Sequence, residues 1–371
     1  MELKRLSLSS FRNTEDGVIE FEPGINLLYG ENAQGKTNLL ESIYFFARGK
    51  SFRGAGDSEM LGFSKDSYSI SISFHASGRD QTLLYRFADG KRRREKNGVI
   101  LQSQAEMLGH FRCVIFYPEH LQLVKGGPAE RREFLNVAIS QCYPEYLSLY
   151  AAYKKYLENR NSLLRFAQKG LFFDSDELSV FSKGLAEYAA EIHLYRRRYL
   201  ALLQKEAAFF MKEISGGREE LSLSYLSDVN GQTKEELILA YMRLFSEQLN
   251  REIAAGCTLF GVHREDILIL INGISAKDFG SQGQQRSTVL SLKLAEGEVS
   301  YAVTGEHPVF LLDDVLSELD STRRDYILHR AGEGKQIIIT SCEAESFQES
   351  DRVNLKIKVE KGYYVPSYRK R

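Results

Sequence analysis

Apolar positions along this chain follow three different rhythms, and the changes of rhythm divide it. The first is a period of two. Leu3 to Leu8 and Val18 to Phe21 alternate on either side of the polar stretch Asn13 to Gly17, as paired strands do, and Ser67 to His75 is a further alternating run. Thr82 to Phe87 ends at the hairpin dipeptide Asp89-Gly90, and Asn97-Gly98 is a second such signal. A mixed sheet is therefore expected in this part of the chain. Between the two dipeptides lies Lys91-Arg92-Arg93-Arg94-Glu95-Lys96. It is too short for a helix and too charged for a central strand, so it predicts an exposed edge strand or ribbon. Its arginines either discourage edge pairing or contact phosphates.

The second rhythm, a period of about 3.5, begins near Tyr143. Tyr146, Tyr150, Tyr153, Leu157 and Leu164 form one seam, interrupted by Arg160. Leu178, Phe181, Leu185, Tyr188, Ile192, Tyr195, Tyr199 and Leu202 form a second, cleaner one. Joined by the turn from Lys169-Gly170 to Asp176, the two predict an antiparallel helical arm. The tyrosine stripe reads as its core, and Arg196-Arg197-Arg198 as a solvated outer face. Glu235 to Ile253 offers a third helix, with Ile238, Tyr241, Phe245 and Leu249 on one face. Strand character returns in Asp266 to Ile271, before Asn272-Gly273, so the insertion is expected to end near residue 258.

The third rhythm is the short continuous apolar run, and both examples end in candidate chemistry. Ile25 to Tyr29, bounded by Pro23-Gly24, reads as a buried strand. It runs into Gly30-Glu31-Asn32-Ala33-Gln34-Gly35-Lys36-Thr37, a full match to the phosphate-loop pattern. Leu39, Leu40, Ile43, Phe46 and Ala47 then follow at helical spacing. In such a loop glycines turn successive backbone N–H groups toward one anion, and the helix N-terminus adds roughly half a positive charge. Lys36 is expected on the β and γ phosphates of ATP, and the Thr37 hydroxyl on Mg²⁺.

Pro308-Val309-Phe310-Leu311-Leu312 ends in Asp313-Asp314, the form of a Walker B strand. Asp313 is the candidate metal-side carboxylate, and Asp314 the group that polarises the attacking water. The two motifs stand at opposite ends of the chain, so the nucleotide core is split around the arm. Phe279-Gly280-Ser281-Gln282-Gly283-Gln284-Gln285-Arg286 is a small-residue turn opening a helix, again a possible anion site.

Composition bounds this picture. The 371 residues, 43% of them apolar, allow two domains or one with a large insertion. Lys and Arg total 49 against 50 for Asp and Glu, so any nucleic-acid surface has to be a local patch. Cys113, Cys142, Cys257 and Cys342 are widely spaced, without zinc or disulfide patterning, and fit a reducing compartment. No apolar leader follows the charged start, and no run reaches the length of about eighteen apolar residues that a membrane helix needs. A cytoplasmic, soluble protein is expected.

Together these pieces resemble the ABC ATPase family. Ser281, Gly283 and Gln284 lie in what looks like its signature motif, and Ser317-Glu318-Leu319-Asp320 looks like its D-loop. More narrowly, the chain resembles the RecF family of bacterial recombination proteins, part of the SMC-like superfamily. The likeness runs from Phe11-Arg12-Asn13, through the phosphate loop to Glu41, and on to Lys50-Ser51-Phe52-Arg53 and Tyr117-Pro118-Glu119-His120-Leu121. It continues in Lys125-Gly126, Arg131-Arg132, His263-Arg264-Glu265-Asp266 and Leu312 to Asp320.

The resemblance implies an α/β fold: a split ABC-type ATPase head, residues 1–130 and 259–371, with an inserted all-helical, coiled-coil-like arm, residues 131–258. It implies an ATP-dependent head-to-tail homodimer in which the signature of one subunit completes the nucleotide site of its twin. It further implies binding to DNA at single-strand/double-strand junctions or gaps, and action with RecO and RecR in loading RecA. Asp314 stands where many ABC ATPases have Glu, and Ile337-Ile338-Ile339-Thr340-Ser341 offers hydroxyls where they have a switch His, so slow hydrolysis is expected. The Q-loop role is open near Gln122. Arg92, Arg93 and Arg94 are the candidate DNA contacts. The ATPase subunit of an SMC-like nuclease complex and a transporter ATPase subunit are the rival readings.

Overall fold

A computed structural model describes residues 1–331, 333–342, 347 and 352–369. The chain divides into two compact units: one of residues 1–121, 206–219 and 282–371, the other of residues 122–205 and 220–281.

The first unit opens with β1 (Glu2–Ser9), β2 (Gly17–Glu20), β3 (Ile25–Tyr29), β4 (Ser67–Ala76), β5 (Arg79–Ala88), β6 (Lys91–Lys96), β7 (Val99–Ile100) and β8 (Cys113–Phe116). All but β3 and β8 form an antiparallel sheet in the order β2-β1-β4-β5-β6-β7. Its inner positions alternate as the sequence alternates, with Leu3, Leu6, Ile70, Ile72, Phe74 and Leu83 buried. Both residues of Asp89-Gly90 and of Asn97-Gly98 have positive φ, the geometry of tight hairpins that follow the strand twist. Ser77-Gly78 makes a third such turn. The charged β6 is not the terminal strand: β7 pairs with Glu95 and Lys96, which leaves only its first half on an open edge.

The second half of the chain supplies β12 (Val309–Asp313), β13 (Ile337–Ser341), β14 (Val353–Glu360) and β15 (Tyr363–Arg369). They join β3 and β8 in the order β15-β14-β3-β13-β12-β8, parallel except for β15. Burial on both faces explains the unbroken apolar runs of Cys113–Phe116 and Val309–Leu312 and the fully buried Ile25–Leu28, whose one polar residue, Asn26, is satisfied by the backbone of Glu22 and Gly24. Because β3 lies between β13 and β14, the distant sequence halves share one core. Helix Lys36–Arg48 leaves the end of β3 and buries Leu39, Leu40, Ile43 and Phe46 completely.

The second unit is mainly helical. Helices Glu145–Gln168 and Ser175–Ile214 run antiparallel in one continuous register. Tyr195 Oη bonds Glu145, the Tyr156 ring meets Tyr188 and Phe181, Arg160 Nε donates to Ser182, and Leu164 packs with Leu178. A Cβ on Gly184 would lie 2.1 Å from the Tyr156 ring, so glycine sets how closely the helices approach. The third helix is broken at Gln248, into Lys234–Glu247 and Leu249–Ala255, and it buries Leu237 where Ile238 was expected.

Two expectations about arginines fail here, Arg160 as a break in the seam and Arg196 as part of a solvated face. Arg160 does not interrupt the seam but is wholly buried, donating to Glu252, Thr258 and Ser182. Arg196 is buried too, donating to Val262 O, Asn136 and Tyr146, with Glu265 at 3.8 Å. Each guanidinium is a polar hub whose partners are distant in sequence.

This unit also contains a three-stranded sheet, β11 (Ile274–Ser275), β10 (Asp266–Ile271) and β9 (Leu221–Leu226) in that order. Its compact boundary lies at Ser281, beyond the expected 258, and it begins at Gln122. Arg131 gives the local reason: it grips Asp266 on β10 with both arms, at 2.7 and 2.8 Å, and also donates to the carbonyls of Leu123 and Gly126.

Candidate nucleotide site

Every feature of this site lies in the first unit. Strand β3 ends at Tyr29, and a Cβ on the following Gly30 would meet the carbonyl oxygen of Val359 on the neighbouring strand at 2.1 Å. Only glycine lets the chain turn there. Ala33, at φ 63°, and Gly35, at φ 108°, complete a loop that delivers Lys36 as the first helical residue. Lys36 is 7% exposed, and its Nζ donates to the carbonyls of Gly30 (2.5 Å) and Glu31 (2.8 Å).

The Walker B carboxylate meets this loop directly. Thr37 Oγ1 donates to Asp313 Oδ1 at 3.0 Å, and Thr340 Oγ1, from adjacent β13, donates to the same oxygen at 2.8 Å. Thr340 also accepts the backbone N–H of Asp314 at 2.9 Å. Asp314 itself is held in the left-handed region, at φ 52°. Burial pushes the Asp313 carboxyl above the usual carboxylate range, against the two hydroxyls, and the charges of Asp314 and Glu119 push it further. Cys342 Sγ lies 3.0 Å from Asn32 Oδ1, 3.9 Å from Lys36 Nζ and 4.0 Å from Asp314 Oδ2. Asn32, Lys36, Thr37, Asp313, Asp314 and Thr340 open on a cavity of about 840 Å³. Its walls also include Phe52, Arg53, Tyr117 and Glu119, a size and mixture suited to a nucleotide.

The motifs near the start of the chain form the support behind the loop. Asn13 Nδ2 donates to Ala33 O, Asn38 Nδ2 to Asn13 Oδ1, and Arg53 Nη1 to Asn38 Oδ1. Arg12 clasps Glu41 of the loop helix at 2.7 and 2.9 Å. From the far end of the chain, the β14–β15 turn donates the N–H groups of Lys361 and Gly362 to Gln34 Oε1 and O. Asn32, Ala33 and Gln34 thus have their places fixed by contacts well outside the loop, whereas Glu31 is held from within it by Lys36.

Gly283 and Gln284, at the start of helix Gln282–Thr304, are not among the residues lining this cavity. Ser281 immediately precedes that helix and is exposed. The helix start is held to the D-loop by Arg323, which donates to Ser287 Oγ (2.8 Å) and Gly283 O (3.2 Å) while pairing with Asp320. No local pattern marked Arg323 for this. Glu119 lines the nucleotide cavity, whereas Gln122 begins the second unit.

Arg92, Arg93 and Arg94 lie elsewhere, on β6. Arg92 pairs with Asp57 at 2.6 Å, and that carboxylate also accepts the hydroxyls of Tyr68 and Tyr85. Arg93 pairs with Glu95, and Arg94 sits over the Tyr85 ring at 5.5 Å. Among the described residues no helix is long and apolar enough to cross a membrane.

A parallel core strand feeding a phosphate loop, with the second acid strand supplied by the other end of the chain, defines an ABC-type ATPase head of the SMC-like class. Comparison with known proteins narrows this. The family model described as RecF/RecN/SMC N terminal domain matches residues 2–364. The DNA replication and repair protein RecF of Desulfitobacterium hafniense is 38% identical over 362 residues, 98% of each chain. That of Limosilactobacillus fermentum is 41% identical over 345 residues, 92% of each. A solved structure of the recombination mediator protein RecF with ATP, in the RecFOR pathway, superposes with a TM-score of 0.91 at 36% identity, covering 99% of this chain and 98% of that one. The chain belongs to the RecF family.

Proposed function

We propose that this protein is an ATP-dependent DNA-binding switch of recombinational repair and replication. ATP is held by Gly30 to Thr37, and Mg²⁺ by Thr37 and Asp313 together with the phosphates. The donor set fits that ion: a hydroxyl and a carboxylate oxygen converge at 3.0 Å, and among the described residues no cluster of three or more His, Cys, Asp or Glu side chains offers an all-protein cage. When bound, the ion would neutralise charge on the transferring phosphate. Lys36 orients the β and γ phosphates. Asp314 accepts a proton from the attacking water, its carboxylate aimed by Thr340. With one carbon fewer than glutamate, and hydroxyls in place of a switch histidine, the site is suited to slow, DNA-stimulated turnover that acts as a release step.

The observation that carries this reading is a nucleotide cavity built from loop and Walker B residues without Gly283 or Gln284 in its lining. Two copies placed head to tail would supply Ser281, Gly283 and Gln284 to each other's ATP. The dimer so closed would hold DNA at single-strand/double-strand junctions or gaps and act with RecO and RecR to load RecA. The comparisons support this direction through relatives named for DNA replication and repair and a structure assigned to the RecFOR pathway.

The test is light scattering of an Asp314→Asn parent with ATP and with ADP, with and without Ser281→Arg. The parent is expected to dimerise with ATP alone. Ser281→Arg should still bind ATP but stay monomeric, because a bulky cation blocks the approach to a γ-phosphate. Dimerisation equal to the parent's would reduce Ser281 to a helix cap.

A further inference from the structure

Two charged stretches, Arg131-Arg132 and His263-Arg264-Glu265-Asp266, are absent from the lining of the nucleotide cavity and lie in the second unit. The structure brings them together and gives their arginines opposite fates. Arg131 is consumed by Asp266 in a two-armed ion pair. Glu265 is buried and committed to His193, Ser227, Tyr225 and Tyr241. His263 is held between the Tyr153 hydroxyl and Thr258 O, and its burial keeps the imidazole neutral.

What remains is positive charge only partly offset: burial, then Arg196 and Arg264, disfavour the charge on Arg132, and Asp266, already gripped by Arg131, favours it. Arg132 is half-buried and makes one hydrogen bond, from Nη1 to Glu265 O at 3.0 Å, which anchors the guanidinium and leaves its other donors unused among the described residues. Arg264 is exposed, close enough to disfavour the charge on Arg132, and its side chain has no hydrogen-bond or ion-pair partner among the described residues. Two like charges side by side, one of them partly desolvated, are unfavourable unless an anion completes them. A guanidinium pair has the donor geometry to take phosphate oxygens.

The geometry, with Arg132 anchored on the carbonyl of Glu265 directly beside Arg264, points to these two arginines as a phosphate-binding site in the second unit that engages the sugar-phosphate backbone of DNA. This rests on the DNA-binding reading above, and it places a contact on the arm rather than on the head. It carries no base specificity, since guanidinium contacts to phosphate position a duplex without reading it.

The test uses the full-length protein with ATP. Fluorescence anisotropy on gapped DNA is followed across a salt titration for the parent, Arg264→Gln, Arg132→Lys and the double variant Arg132→Gln/Arg264→Gln. ATP affinity is measured alongside as the check on folding. Loss of two phosphate contacts should lower the log–log salt slope by about 2, with roughly 10- to 100-fold weaker binding at low salt. Arg264→Gln alone should lower the slope by about 1, and Arg132→Lys should preserve it. Inorganic phosphate at millimolar concentration should compete only weakly, because the site is one of several along a strand. Competition by phosphate that abolishes binding would mean a free-anion site and overturn the proposal. So would a slope unchanged in variants that still bind ATP, or arginine-dependent binding of a polyglutamate peptide with DNA binding intact. A parent that fails to bind DNA at low salt would instead remove the reading on which the inference rests.

Discussion

Thr340 offers the sharpest test of how the site works, because one hydroxyl holds both acids of the Walker B strand. It donates to Asp313 Oδ1 and accepts the N–H of Asp314, and the residue is 1% exposed, so water cannot replace either bond. Thr340→Val keeps the shape and removes both. The lost bond to a carboxylate corresponds to roughly 1.5–3 kcal/mol, and the orphaned N–H of Asp314 adds roughly 1–3 kcal/mol of desolvation. Asp314 sits at φ 52°, a conformation costly for a non-glycine residue and then held at its backbone, among the described residues, only by Ser317 Oγ on its carbonyl, so its carboxylate should lose its aim. If about 1.4–2.8 kcal/mol of this falls on the transition state, turnover drops about 10- to 100-fold. ATP affinity, set mainly by the loop and Lys36, should change less than about threefold. Single-turnover hydrolysis and nucleotide titration separate the two quantities, and Thr340→Ser should restore most of the rate. A Thr340→Val protein with the parent's rate would refute the argument, as would equal losses in Val and Ser.

Lys36→Ala should abolish useful ATP binding or hydrolysis while leaving the circular dichroism spectrum unchanged; unchanged affinity and turnover together would remove the phosphate-loop assignment. On β6 the three arginines should separate. Arg92→Glu sets a second carboxylate against Asp57 and its two tyrosines, so a loss of about 1–3 kcal/mol in urea unfolding is expected. Arg93→Glu disturbs only the pair with Glu95, and it should lower the DNA salt slope by about 1 if β6 touches phosphates; an unaltered slope leaves Arg93 as edge protection. Burial holds His263 at about 4 against the ordinary 6.5, so the unfolded chain takes up this proton first as pH falls. The stability due to a neutral His263 is therefore complete above pH 6.5 and is lost, by about 3 kcal/mol in all, on acidification toward 4. The urea midpoint should fall over that window in the parent and less in His263→Gln; parallel profiles would show that other groups govern acid sensitivity.

Where chemistry depends on a few consecutive residues, the sequence by itself determined the outcome. The phosphate loop is legible because glycines, a lysine and a threonine at fixed offsets meet a local geometric demand, and the Walker B strand because burial on both faces leaves an unbroken apolar run before its acids. The hairpins at Asp89-Gly90 and Asn97-Gly98 follow from two consecutive positive φ angles. Tertiary structure alone decided the rest. Arg160 looks like a break in the seam and Arg196 like a solvated charge, since nothing near them in sequence reveals Glu252, Thr258 or Val262 as partners. The third helix breaks at Gln248 without a proline or glycine to announce it. The strand Leu221–Leu226 is defined by β10, its neighbour across the sheet, and the arm's compact boundary at Ser281 follows from that pairing. Thr340, Arg323 and Gln34 do their work across more than twenty-five residues of separation in the chain. Periodicity records which face of an element is buried; which distant polar group waits on that face is settled only when the chain closes on itself.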